Sequence, residues 1–168
     1  MFIKGKPIRF GFKLWALCGV DGFPYCLKIY VGKENGSSAD PLVTRVIQHM
    51  VDVVMAQSSG QYHTFFFDNF FTSVKLLETL SDRGIRATGT VRDNRIGDAK
   101  NRLCSSKTMK KNKSRGSFEY CCNGIVYIAK WNDNAVVNVA SNCFTHEPVL
   151  SVTCRVKGAH KFLWHSHI

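Results

Sequence analysis

His63-Thr-Phe-Phe-Phe-Asp68-Asn69-Phe-Phe-Thr-Ser73 decides the reading of this chain. A short β-prone run ends in a carboxylate, and a helix-like pattern follows at once. A buried strand delivers one acid to the C-terminal edge of a sheet in this way, where sites on open α/β sheets are built. The phenylalanines at 65–67, 70 and 71 suit a core strand and helix start better than a stacking platform for bases. One carboxylate cannot run metal-assisted phosphoryl transfer, which needs ions clamped on both the attacking and the leaving oxygen. The function therefore turns on whether the chain supplies partners for Asp68.

The 168 residues suffice for one domain with a hydrophobic core, and 45% apolar with 21% charged residues excludes wholesale disorder. The charge is unusual: 23 Lys and Arg against 12 Asp and Glu give +11, which favours a polyanionic partner, nucleic acid first. Seven of these bases, Lys100, Arg102, Lys107, Lys110, Lys111, Lys113 and Arg115, fall in residues 100–115, which hold no acid. This run fits a solvated loop or nuclear localisation signal, and equally a phosphate-contacting insertion that binds DNA without reading sequence. No apolar run is long enough to span a membrane. The N-terminus has no signal-peptide pattern, so an intracellular, nuclear location is expected. The seven cysteines follow no framework spacing and read as reduced thiols.

Residues 8–20 and 24–31 read as a hairpin about Asp21-Gly22, with Tyr25, Leu27 and Ile29 on one face. Asp40 as N-cap and Pro41 as first helical residue predict a helix with an apolar stripe of Leu42, Val46, Ile47, Met50, Val53 and Val54. After the strand at 62–67, a helix carries Val74, Leu77 and Leu80 to a C-cap at Gly84. A strand follows at 85–91, then a long polar, basic loop at about 93–116. Phe118–Cys122 and Ile125–Trp131 pair through Asn123-Gly124, and Ala135–Ser141 is a third strand.

Four segments in order resemble the catalytic domain of piggyBac-type transposases and the domesticated piggyBac transposable element-derived proteins. They are Lys6-Pro-Ile-Arg-Phe-Gly-Phe-Lys13, Phe67-Asp-Asn-Phe-Phe-Thr-Ser73, Arg83-Gly-Ile-Arg-Ala-Thr-Gly-Thr-Val-Arg92 and Arg115-Gly-Ser-Phe118. The resemblance implies an α/β RNase H-like mixed sheet and cut-and-paste DNA transposition, with three aspartates holding two Mg²⁺ or Mn²⁺ ions. Asp68 stands at the second of these. The first belongs on a strand upstream of the Lys6–Lys13 segment, and the third to a Gly-Gly-Val-Asp motif that this sequence does not contain. The expectation is thus a partial domain at 1–158, truncated of its first central strand, with a basic insertion, an extra C-terminal β-meander and an unassigned tail at 159–168.

Asp21 and Asp93 are the only candidates to replace the missing acids, and Asp21 already serves a turn. In the alternative role, Asp68 and Asn69 accept hydrogen bonds from the first N–H groups of the following helix. Cys143, His146, Cys154, His160, His165 and His167 match no zinc spacing, so no zinc is expected. Loss of a central strand would expose unpaired strand edges and favour self-association. Three functional readings follow. The first is a catalytically incomplete transposase core that retains DNA affinity. The second is an active metal-dependent enzyme completed by residues of a longer or partner chain. The third is a decayed element product without a selected role.

Overall fold

The computed structural model describes residue 7, residues 10–30, 41–58 and 62–147, and the backbone of strands 150–154 and 162–166. Two compact units divide the chain, Met1–Gln61 and Tyr62–Ile168.

In the first unit, strands β1 (Lys13–Cys18) and β2 (Pro24–Tyr30) form an antiparallel hairpin. The turn differs from the expected two-residue Asp21-Gly22 connection. It runs over Gly19–Phe23, where Gly22 N–H donates to Gly19 O and Gly19 N–H to Phe23 O. Only Gly22 takes a positive φ, 84°, while the Asp21 carboxylate accepts the Phe23 N–H at 3.0 Å. The longer turn is absorbed by a register shift between Leu17 and Cys18. Helix α1 (Leu42–Gln57) begins one residue later than expected: Pro41 is its cap, with extended ψ, and its carbonyl accepts from Arg45 N–H. Asp40 lies outside the described residues. Val46, Ile47, Met50 and Val51 are the buried stripe, and α1 packs on β2.

The second unit is built on a five-stranded mixed sheet. Strand β3 (Thr64–Phe67) leads through helix α2 (Val74–Asp82) to β4 (Arg86–Val91), which pairs parallel to β3. After short helices α3 (Ala99–Arg102) and α4 (Ser106–Asn112) come β5 (Phe118–Cys122), β6 (Tyr127–Asn132) and β7 (Val136–Ser141). Their order is β3-β4-β7-β6-β5, antiparallel beyond β4, so the expected meander is part of the same sheet as Asp68. Strands β8 (Leu150–Cys154) and β9 (Phe162–Ser166) form a further antiparallel pair, which places a strand inside the tail left unassigned from sequence.

Local chemistry explains the boundaries. Ser73 caps α2, its Oγ accepting from Leu76 N–H. At the other end Gly84, at φ 69°, donates to Ser81 O while Ile85 N–H donates to Leu80 O, the paired bonds of a Schellman ending. The β5–β6 turn has Gly124 and Ile125 at its centre, one residue further along than Asn123-Gly124. Only Gly124 has positive φ, 95°, and the Asn123 side chain accepts from Ile125 and Val126 N–H.

The segment 93–116 departs most from expectation. It is not a solvated loop: α3 and α4 lie in it, and Ile96, Ala99, Leu103 and Met109 are buried. Its apolar residues are too sparse for a periodic signal, each helix being only one or two turns long. One face of the sheet carries Phe65, Ala87, Val91, Ala140 and Ile128, all buried, under α2, α3 and α4.

Gly89 fixes how closely the β3 end and the following turn approach β4. A Cβ there would lie 2.4 Å from Thr72 Oγ1 and 2.5 Å from the Phe67 carbonyl. Gly89→Ala is expected to lower stability by ~1–3 kcal/mol through overpacking, seen as a lower urea midpoint at unchanged slope.

Candidate functional site at the carboxyl ends of β3 and β4

Asp68 follows β3 directly, as the sequence implies, and is exposed. Its carboxylate accepts the Phe70 N–H at 2.7 Å, and its carbonyl accepts Phe71 N–H, Thr72 N–H and the Thr72 hydroxyl. The acid thus nucleates a turn between strand and helix. The expected capping of α2 by Asp68 and Asn69 is not what forms, because the helix starts at Val74 under Ser73. Asn69 instead accepts from Arg92 Nε at 3.2 Å. Arg95 donates to Phe70 O at 2.6 Å, and the Arg92 guanidinium stands 5.9 Å from the Phe70 ring. Two arginines from beyond β4 therefore hold the Asp68 turn against the sheet.

Asp93 is committed elsewhere. Its Oδ1 lies 3.0 Å from Lys130 Nζ and accepts from Asn138 Nδ2 at 2.8 Å, and Oδ2 accepts from the Ser106 hydroxyl. Partial burial raises the Asp93 pKa, but the hydrogen bonds from Ser106, Asn138 and Lys130 outweigh it and leave a net lowering. The Lys130 side chain is 3% exposed and also donates to Cys104 O. Asp21 lies in the other unit. Among the described residues no three His, Cys, Asp or Glu side chains gather in a way that could hold a metal ion.

The seven bases divide into two sets. Arg102 donates to Cys122 O, Lys110 to the carbonyls of Asp133 and Asn134, and Arg115 pairs with Asp133 at 2.6 Å. Lys113 pairs with Glu119, whose other oxygen accepts Cys104 N–H at 2.8 Å. Lys100, Lys107 and Lys111 are exposed and ion-pair with no described residue.

The residues that sequence reasoning missed are polar side chains on the covered sheet face. Asn132 donates to Lys113 O and Ser114 O, and Asn138 to Val91 O. The signal was Ile128-x-Lys130-x-Asn132, a strand alternation in which two polar residues share the face of a buried isoleucine. Cys143 and His146 lie on the opposite side of the site's chemistry: the Tyr127 hydroxyl and the Tyr120 ring engage His146.

Comparison with known proteins agrees with this architecture. Residues 1–161 match the model of the Transposase IS4 family. Human piggyBac transposable element-derived protein 3 is 40% identical over 144 residues, covering 84% of this chain and 24% of that protein. Human piggyBac transposable element-derived protein 2 is 37% identical over 167 residues, covering 94% and 26%. The cryo-EM structure of a piggyBac transposase synaptic complex with hairpin DNA superposes with a TM-score of 0.68 at 22% identity, over 85% of this chain and 29% of that one. The chain belongs to the Transposase IS4 family. Within it, this is a piggyBac-type, transposable-element-derived member. It spans about a quarter of the length of the curated relatives it matches.

The acid response of the clasped segment follows from its carboxylates. The hydrogen bond from Lys113, aided by Cys104 N–H, holds Glu119 down to about 2 from an ordinary 4.5, and Asp93 is also lowered. A depressed folded-state pKa stabilises above the unfolded value and is lost as pH falls through the folded one. Cys104, half-buried beside Glu119, should become accessible to exchange with a pyridyl disulfide, which still reacts with thiols in acid, as pH is lowered from about 4.5 towards 2. Pulse labelling with an acid-tolerant thiol reagent checks this, and Glu119→Gln should remove most of the pH dependence.

Proposed function

We propose that this chain is an RNase H-like portion of a piggyBac-type transposase, which contacts DNA but does not cleave it alone. The observation that carries this is the fate of the acids. By resemblance Asp68 stands at the family's second aspartate, while Asp93, the candidate to join it, is tied to a buried lysine. The donor set among the described residues does not fit a pair of Mg²⁺ or Mn²⁺ ions, which require several carboxylate oxygens around each site. Among the described residues β3 is the edge strand on its side of the sheet, with Phe66 70% exposed.

DNA affinity rests on the charge of +11 and on the three unengaged lysines of α3 and α4. They contact phosphates and carry no sequence readout, so binding is salt-dependent and nonspecific. The solved piggyBac transposase, similar in fold, is a complex with DNA. A nuclear location accords with such a partner. A second reading is favoured by one observation: the Asp68 carboxylate is exposed at a strand end. It suits a site completed by carboxylates from a longer or partner chain.

Two experiments test these readings. Labelled duplex incubated with Mg²⁺ or Mn²⁺ should not be nicked by folded protein. Cleavage that disappears in Asp68→Ala would establish the completed-site reading instead. In a salt titration, replacing Lys100, Lys107 and Lys111 with Gln should reduce the log–log slope by about 2–3, near 0.9 per phosphate contact. Lys110→Gln and Arg115→Gln, which break intramolecular bonds, should lower stability more than they lower the slope.

A further inference from the structure

Ser114 stands apart from the other hydroxyls of the basic segment. Ser105 caps α4, Ser106 donates to Asp93, and the Thr108 hydroxyl bonds to that of Ser105. Ser117 is half-buried just before β5. Ser114 is exposed, and among the described residues its hydroxyl meets only that of Ser117, at 3.0 Å. The backbone behind it is held firmly. Its carbonyl accepts from Ser117 N–H and from Asn132 Nδ2, closing a turn in which Gly116 takes a φ of 91°. Four bases surround it in sequence, Lys110, Lys111 and Lys113 before and Arg115 after, with no acid between Asp98 and Glu119. Its immediate neighbours are the cations that clasp this segment to the sheet: Lys113 holds Glu119 on β5, and Arg115 holds Asp133 in the β6–β7 turn.

We infer that Ser114 is a phosphorylation site for a protein kinase that selects basic sequences, and that its phosphate takes Lys113 and Arg115 away from Glu119 and Asp133. Recognition follows from charge. A substrate groove lined with carboxylates gains from each flanking base, whereas the groove of an acid-directed kinase is repelled by all of them. Access is inexpensive. Helix α4 is only seven residues long, and Lys113 is already extended at φ −118° and ψ 142°. Transfer forms the bond from Ser114 Oγ to the γ-phosphorus of ATP and breaks the bond from that phosphorus to its bridging oxygen. ADP leaves with the bridging oxygen, and the hydroxyl proton passes to the kinase's catalytic aspartate. The new group carries about −1.5 to −2 charges and three strong acceptor oxygens. Each carboxylate in the present pairs carries only one charge. An ammonium and a guanidinium one residue to either side therefore find a stronger partner in the phosphate, which Arg115 can grip at two points. The inference is independent of whether the chain binds DNA or cleaves it.

The purified chain is incubated with MgATP and the catalytic fragment of a basic-directed kinase of the protein kinase C class. An acid-directed kinase of the casein kinase 2 class is run in parallel. Tandem mass spectrometry should place the phosphate on Ser114 with the first enzyme and not with the second. Ser114→Ala should abolish that incorporation and Ser117→Ala should retain it. Lys111→Gln, which breaks no intramolecular ion pair among the described residues, should slow it with circular dichroism unchanged. An NMR titration of the Glu119 carboxyl reads the second half of the inference. Its pKa, held at about 2 by Lys113, should rise towards 4.5 in the phosphorylated chain. No incorporation into folded protein, phosphate on another residue instead, or modification of Ser114 by the acid-directed enzyme overturns the site. Phosphorylated Ser114 with Glu119 still titrating near 2 overturns the exchange of partners.

Discussion

The buried ammonium of Lys130 governs how the second unit is assembled. Placed mid-strand at 3% exposure, it is tolerable only with a carboxylate and hydrogen-bond acceptors around it. Asp93 and the Cys104 carbonyl supply them, and both come from the segment between β4 and β5. Leaving such a group uncompensated costs roughly 3–5 kcal/mol. The segment is therefore drawn onto the sheet, and its burial of Ile96, Leu103 and Met109 follows from that position. Asn132 on the same strand and Glu119 on β5 repeat the device, holding carbonyls or an N–H of the same segment, while Asn138 on β7 donates to the Asp93 carboxylate and to Val91 O.

This constraint also shapes function. An acid just past the end of β4 is well placed to join Asp68 in a shared site, but Asp93 is consumed in neutralising Lys130. The same clasp divides the basic run. Lys110, Lys113 and Arg115 close the segment against the β5 strand and the β6–β7 turn, while Lys100, Lys107 and Lys111 stay in water. A stretch that looks uniformly suited to phosphate is partly structural, and the charge available to a polyanion is smaller than the composition suggests.

The Asp68 turn shows a related economy. One carboxylate organises Phe70, the carbonyl behind it organises Thr72, and Gly89 lets Thr72 press against the sheet without a clash. Arg92 and Arg95 then fasten the turn from beyond β4. These interactions hold the acid at a fixed, exposed position whether or not it now has chemistry to perform.

Sequence alone determined the elements whose signals are local. The Phe-rich strand ending at Asp68, the glycine ending of α2, the hairpins and the stripe of α1 are written in periodicity and turn residues, and four motifs in order carry the family. Tertiary structure decided what depends on partners distant in the chain. Asp21-Gly22 and Asn123-Gly124 mark turns, but pairing register selected which residues sit at their centres. Two short helices in 93–116 have no periodic signature, and they exist because strands β5 to β7 present buried polar groups that bind them. Whether Asp93 was free for a metal could not be read from residue 93, since the answer lies in Lys130, thirty-seven residues on.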